Sequence, residues 1–135
     1  MTTGAELSSG DDFPYLAHPK PRPGQIEMIH ESREALRNGG YHLAAAPTGI
    51  GKTAAALAAA LEIAEKTPGQ KTIFFLTSRQ SQHRIVVDTV RRINQRRVDH
   101  DPVTLVDMIG QSGMCVQPFA KESSHVFSMM CSTAR

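Results

Sequence analysis

Tyr41-His42-Leu43-Ala44-Ala45-Ala46-Pro47-Thr48-Gly49-Ile50-Gly51-Lys52-Thr53 is the stretch that decides the fold. Residues 41–45 are short, fairly apolar and run into a Pro/Gly loop, which predicts a buried strand. Residues 46–53 then give Ala, four residues of any kind, Gly, Lys and Thr. At ordinary residue frequencies that pattern arises by chance in a chain of this length only about 1% of the time. Behind it, Ala54 to Lys66 is rich in the best helix formers, and Pro68-Gly69 ends the run. Strand, glycine loop and helix in this order form a cradle for phosphates, because backbone N–H groups and the helix dipole converge on one anion.

Each residue type in the loop has a physical reason to be there. Gly49 and Gly51 let the backbone fold round phosphate oxygens with no Cβ in the way, and Lys52 brings a mobile cation to the β- and γ-oxygens. Thr53 is expected to ligate Mg²⁺. Pro47, Thr48, Gly49, Ile50, Gly51, Lys52 and Thr53 are therefore the expected phosphate-binding residues of a nucleoside triphosphate site, with Lys52 and Thr53 nearest the reacting phosphate. The plain alternative is a glycine turn whose lysine is merely solvated.

Working outward, Lys71 to Thr77 reads as the clearest strand, a continuous apolar run of the kind found in parallel sheets covered on both faces. It completes a β-α-β unit. Upstream, Ile26, Ile29 and Leu36 have helical spacing from Gln25, and Gly39-Gly40 stops the helix. Downstream, Ser81 to Gln95 places Ile85, Val86, Val90 and Ile93 on one face, and Val103 to Ile109 reads as a third strand after Asp101-Pro102. The expected fold class is α/β, a parallel sheet flanked by helices.

Composition sets the outer bounds. The 135 residues are 40% apolar and 21% charged, which suits one folded domain. Residues 1–12 are small, polar and acidic and read as a mobile tail. The longest apolar run, Ala54 to Leu61, falls far short of the roughly 20 residues of a membrane span. The start of the chain has no basic, apolar secretory pattern, so an intracellular, cytoplasmic or nucleoid-associated protein is expected (nuclear if eukaryotic), with no membrane partner. The net charge of +2 is mild, yet Arg84 to Arg97 holds five arginines against Asp88 alone. That segment predicts either a local basic surface or an ordinary solvated helix face.

Three features, taken together, resemble one branch of the phosphate-loop proteins. Pro47 to Thr53 resembles motif I of superfamily 2 helicases. Phe13-Pro14-Tyr15 followed by Arg22-Pro23-Gly24-Gln25 looks like the N-terminal signature of XPD-like DNA helicases, as found in archaea. Thr77-Ser78-Arg79-Gln80-Ser81-Gln82 is similar to motif Ia of that family. The resemblance implies a RecA-like motor domain over residues 13–110, with ATP as nucleotide and Arg22 and Gln25 at the adenine. It also implies a contact from Ser78, Arg79, Gln80, Ser81 and Gln82 to the DNA backbone, a class of contact suited to hydroxyl, amide and guanidinium groups. Met114-Cys115-Val116-Gln117-Pro118 resembles the stretch round the first ligand of a 4Fe-4S cluster, with Cys131 as a second candidate, so residues 111–135 are expected to begin a cluster domain.

The chain also departs from that pattern. Four cysteinates hold such a cluster, and the chain has two cysteines, with Ala134 where a further one often follows. Read without the resemblance, both are inert thiols. Ala45 stands where many members carry Glu, and Gln111-Ser112-Gly113 replaces basic residues. No D-E-x-H or D-E-x-D string, which would hold Mg²⁺ and orient water, occurs in the 135 residues. The expectation is the ATP-binding first part of a 5′→3′ DNA helicase acting on single-stranded or forked DNA. Alone it should bind Mg²⁺-ATP weakly or not at all and unwind nothing, with a monomer as the default state. A phosphate-loop kinase, another ATPase or a truncated nucleotide- or DNA-binding regulator are the competing readings.

Overall fold

The computed structural model describes residues 13–133, and the expected tail over residues 1–12 lies outside them. Among the described residues all regular structure is helical: α1 (Gln25–Arg37), α2 (Lys52–Lys66), α3 (Gln80–Arg96), α4 (Gln111–Met114), a 3₁₀ turn at Pro118–Lys121 and α5 (Ser124–Thr133). The chain forms two compact units, one ending at Leu105 and the other beginning at Val106.

In the first unit each helix has a legible cause. Periodic apolar residues start α1 at Gln25, and a Schellman turn ends it. Gly40 N–H bonds the Ala35 carbonyl at 2.8 Å and Gly39 N–H that of Leu36 at 3.2 Å, with Gly39 at φ 66°. The alanines of α2 pack against α1, and Ala54, Ala55, Leu57, Ala58 and Ala59 are all buried. In α3, Val86, Thr89, Val90 and Ile93 form the buried stripe at spacings of three and four. Ile85, expected on that stripe, is exposed.

The residues before α1 are not a loose lead-in. Phe13 is 1% exposed, and Tyr15, Leu16 and Ala17 share its core with α1, α2 and α3. Arginines bind this segment to the helices. Arg33 lies over the Phe13 ring, 4.8 Å from its centre, and is ion-paired with buried Glu62 of α2. Arg97 lies 3.8 Å over the Tyr15 ring and pairs with Glu65 at 2.8 Å. Arg96 donates to the Leu16 and His18 carbonyls.

The parallel sheet expected from the sequence is absent among the described residues. Segments 41–45, 71–77 and 103–109 carry no ladder. Many of their side chains face water instead: Leu43 is 96% and Leu76 87% exposed, and Tyr41, Phe74, Val106 and Met108 are exposed too, while Val103 and Leu105 pack against the core. The physical reason is that β-branched and aromatic composition supplies only a preference. A strand exists through hydrogen bonds to a neighbour, and no local pattern guarantees one. Other contacts hold the flanks of these segments. His42 bridges the Ser32 hydroxyl at 2.8 Å and the Glu31 carboxylate at 3.1 Å, and Asn94 exchanges two bonds with Val103, at 3.0 and 2.9 Å.

The second unit is small. Phe127 of α5 is buried, with the Phe119 ring tilted against it at 6.0 Å, and the Gln111 amide donates to Cys131 Sγ at 3.0 Å. No helix among the described residues is long and apolar enough to cross a membrane.

Candidate nucleotide-binding site

Residues 46–51 form a turn that delivers the chain into α2. Gly49 has φ 87° and Gly51, the residue capping α2, φ 89°, both in the left-handed region where a side chain is strained. Gly51 has a second reason to be glycine, since a Cβ there would stand 2.3 Å from Gln25 Nε2. No side chain caps the N-terminus of α2, and its first turn holds no acidic residue. The N–H groups and the positive end of the dipole are thus left open.

The Lys52 ammonium closes over the loop, donating to the carbonyls of Ala46 at 2.8 Å and Pro47 at 2.9 Å. Pro47 and Thr48 are exposed, while Ile50, Lys52 and Thr53 are half-buried. The remaining expected nucleotide residues come from outside the loop. Gln25 is 1% exposed; its Oε1 accepts from Arg22 N–H at 2.8 Å, and its Nε2 donates to the Gly51 carbonyl at 3.1 Å. Arg22 donates through Nη1 to the Gly49 carbonyl. Arg22, Gln25 and residues 46–53 therefore gather at one place, though they lie more than twenty positions apart in the chain.

Ser78, Arg79, Gln80, Ser81 and Gln82 are exposed at the start of α3, with Arg79 as its N-cap residue. They form a separate polar surface. Cys115 and Cys131 are free thiols, both half-buried. Among the described residues no group of three or more His, Cys, Asp or Glu could hold a metal ion. Two thiols do not meet the four-thiolate need of a 4Fe-4S cluster, so the cluster does not fit these residues.

The sequence missed the part played by the lead-in. Arg96 and Arg97 read as members of a basic run, yet Arg97 is buried against Tyr15 and Glu65. His18 drew no attention, although its imidazole is held below the ordinary histidine pKa by burial and by the charges of Arg92, Arg22 and Arg96. The one local signal was the four-residue spacing of Arg92 and Arg96, which places both on one side of α3.

The sequence model of one family, described as the type III restriction enzyme, res subunit, matches residues 18–130. No curated protein and no solved structure matches the chain.

Proposed function

The chain belongs to the family of the type III restriction enzyme res subunit, a helicase superfamily 2 N-terminal domain, and from that premise we propose that residues 46–53 bind Mg²⁺-ATP as the nucleotide segment of an ATP-dependent DNA helicase. What supports this most is the bare N-terminus of α2. Its uncapped N–H groups, unopposed by any acid in the first turn, meet the Lys52 ammonium and two left-handed glycines at one spot. The start of α3 is equally uncapped, so it is the lysine and the glycines beside it that suit the start of α2 to a phosphate.

The residues divide the work. Lys52 exchanges two carbonyl acceptors, Ala46 and Pro47, for phosphate oxygens, so binding replaces bonds the lysine already makes. Backbone N–H groups of the loop and first turn of α2 hold the β-phosphate. Thr53 would hold Mg²⁺ through its hydroxyl, and the cation would offset the negative charge of the phosphates. Arg22 and Gln25 fix the loop carbonyls of Gly49 and Gly51; exposed Arg22 suits contact with the base, while Gln25, buried with both amide atoms engaged, positions the loop.

Ser78 to Gln82 make the DNA-backbone contact in this reading. The finer assignment, XPD-like with 5′→3′ polarity, is supported by Arg22-Pro23-Gly24-Gln25 and by those residues; no step involves a cluster. Because the acidic pair that orients water does not occur in these 135 residues, the chain is proposed to bind nucleotide and not to turn it over.

Calorimetric titration of the chain with ATP, with and without Mg²⁺, tests the reading. Of the weak or absent binding expected of the chain alone, the uncapped start of α2 commits the proposal to the first: weak, saturable binding that needs Mg²⁺ and disappears in Lys52→Ala. Binding that persists unchanged in Lys52→Ala, or none in the wild type, would overturn it.

A further inference from the structure

We propose that His18, Arg92 and Arg96 form a second contact for nucleic acid, holding the phosphate backbone of a single strand at the far end of α3. This rests on the helicase reading only for the class of partner. The residues themselves are picked out by an account of where the arginine charges go.

Four of the nine arginines of the first unit face a carboxylate. Arg33 pairs with Glu62, Arg97 with Glu65, and Asp88 lies 3.7 Å from Arg84 and 3.4 Å from Arg91. Among the described residues no ion pair involves Arg22, Arg37, Arg79, Arg92 or Arg96, and of these Arg22, Arg92 and Arg96 lie round His18. Two of these three are nonetheless pinned in place by carbonyls, which carry no net charge. Arg96 donates to the His18 carbonyl at 2.8 Å and to that of Leu16, and Arg22 to that of Gly49. Arg92 sits one turn before Arg96 on α3, which puts their Cβ atoms about 5–6 Å apart. The electrostatic neighbours of His18 are these same three arginines, with no carboxylate among them.

The guanidinium groups of Arg92 and Arg96 thus stand together beside His18 with their charge unanswered by any carboxylate, and both are exposed. Like charges held together repel, and a polyanion that replaces counterions relieves the repulsion. A strand fits better than a mononucleotide. The phosphates of a mononucleotide belong at the start of α2, whereas this cluster is strung along the surface of α3. From Gln80, beside the proposed contact of residues 78–82, to Arg92 is about 18 Å along the helix axis, a span only a polymer covers.

The test is fluorescence anisotropy of a short labelled oligothymidylate with the full chain across a salt series. Arg92→Gln removes one exposed charge that has no ion-pair partner, and Arg84→Gln, whose charge Asp88 already answers, is the control. Expected is a loss of affinity of about three- to tenfold in Arg92→Gln at low salt, with the slope of log affinity against log salt smaller by about 0.7. Arg84→Gln should change neither. Lys52→Ala keeps oligonucleotide binding if the nucleotide loop is separate, so failure of the nucleotide reading and failure of this one are distinguishable. An unchanged affinity and salt slope in Arg92→Gln would overturn the proposal. So would a loss confined to ATP binding, or a wild type that binds no oligonucleotide.

Discussion

The amide of Gln25 donates to the carbonyl of Gly51 at 3.1 Å, and Gly51 is the residue from which α2 departs. The start of α1 is thereby bonded to the start of α2 through one buried side chain whose oxygen is also engaged, by Arg22 N–H. The shape of the loop depends on a residue that is not part of it.

Substitution on either side of that bond should show this dependence. Gln25→Glu turns a donor into an acceptor facing a carbonyl, and we expect a loss of about 1–3 kcal/mol in chemical denaturation. Gly51→Ala should be comparably harmful, on the order of 1–3 kcal/mol, since it adds a Cβ in the left-handed region and against the same amide. Nucleotide titrations of both variants should show weakened binding. Full affinity in Gly51→Ala would mean that the loop does not need this geometry.

Lys52→Ala should behave differently. The two carbonyls it leaves, Ala46 and Pro47, lie in a partly open loop where water replaces the ammonium. Stability should therefore stay within about 0.5 kcal/mol of wild type, while ATP binding disappears. A large drop in Tm would instead mark Lys52 as a structural clamp.

Arg33 and Glu62 form the buried ion pair between α1 and α2, and Lys66 also reaches Glu62 at 2.7 Å. Arg33→Ala strands the carboxylate with only the lysine and should cost about 3 kcal/mol, the lower end for a broken buried pair. The double variant Arg33→Met, Glu62→Leu removes the desolvated charges together and should recover part of that loss. Denaturant midpoints of the two proteins decide the matter, and equal midpoints would count against the ion-pair account.

Tyr15, Glu65 and Arg97 give stability a defined pH dependence. Burial, with the hydrogen bond to Glu65, raises the Tyr15 pKa above 10.0, so its contribution is complete below pH 10 and falls as the pH rises beyond it. For Glu65, burial pushes the carboxyl up, but hydrogen bonds from Tyr15 and Arg97 and the charges of Arg97 and His100 outweigh it and hold the pKa below 4.5. The unfolded carboxyl takes up its proton first on acidification, so stability is lost as the pH falls through 4.5 toward the folded value. Tyr15→Phe should flatten the alkaline limb of a Tm-versus-pH curve. Identical limbs in the two proteins would refute the assignment.

The helices and the glycine turn before α2 were legible because their causes are local. Alanine content, the spacing of Val86, Val90 and Ile93, Gly39-Gly40 and the left-handed glycines 49 and 51 each act within a turn or two of chain. The sheet was misread for the opposite reason. Phe74 and Leu76 have the composition of a strand, but a strand depends on a neighbour that composition cannot specify. The anchoring of Phe13 and Tyr15 was hidden likewise, since Arg33, Arg96 and Arg97 reveal it only once three helices are in place. At the candidate site the turn over residues 46–51 could be read in advance. That Arg22 and Gln25 would spend their hydrogen bonds on loop carbonyls could not.

The bond from Arg96 to the Leu16 carbonyl joins positions 80 residues apart, so the first segment described here is among the last to be secured during synthesis. At about 5–20 residues per second, Leu16 and His18 wait roughly 4–16 s before the arginine that bonds their carbonyls is made. During that interval the aromatic lead-in is an unsheltered apolar peptide. It is then a natural landing place for a chaperone, and the final docking of α3 is the event that would release it.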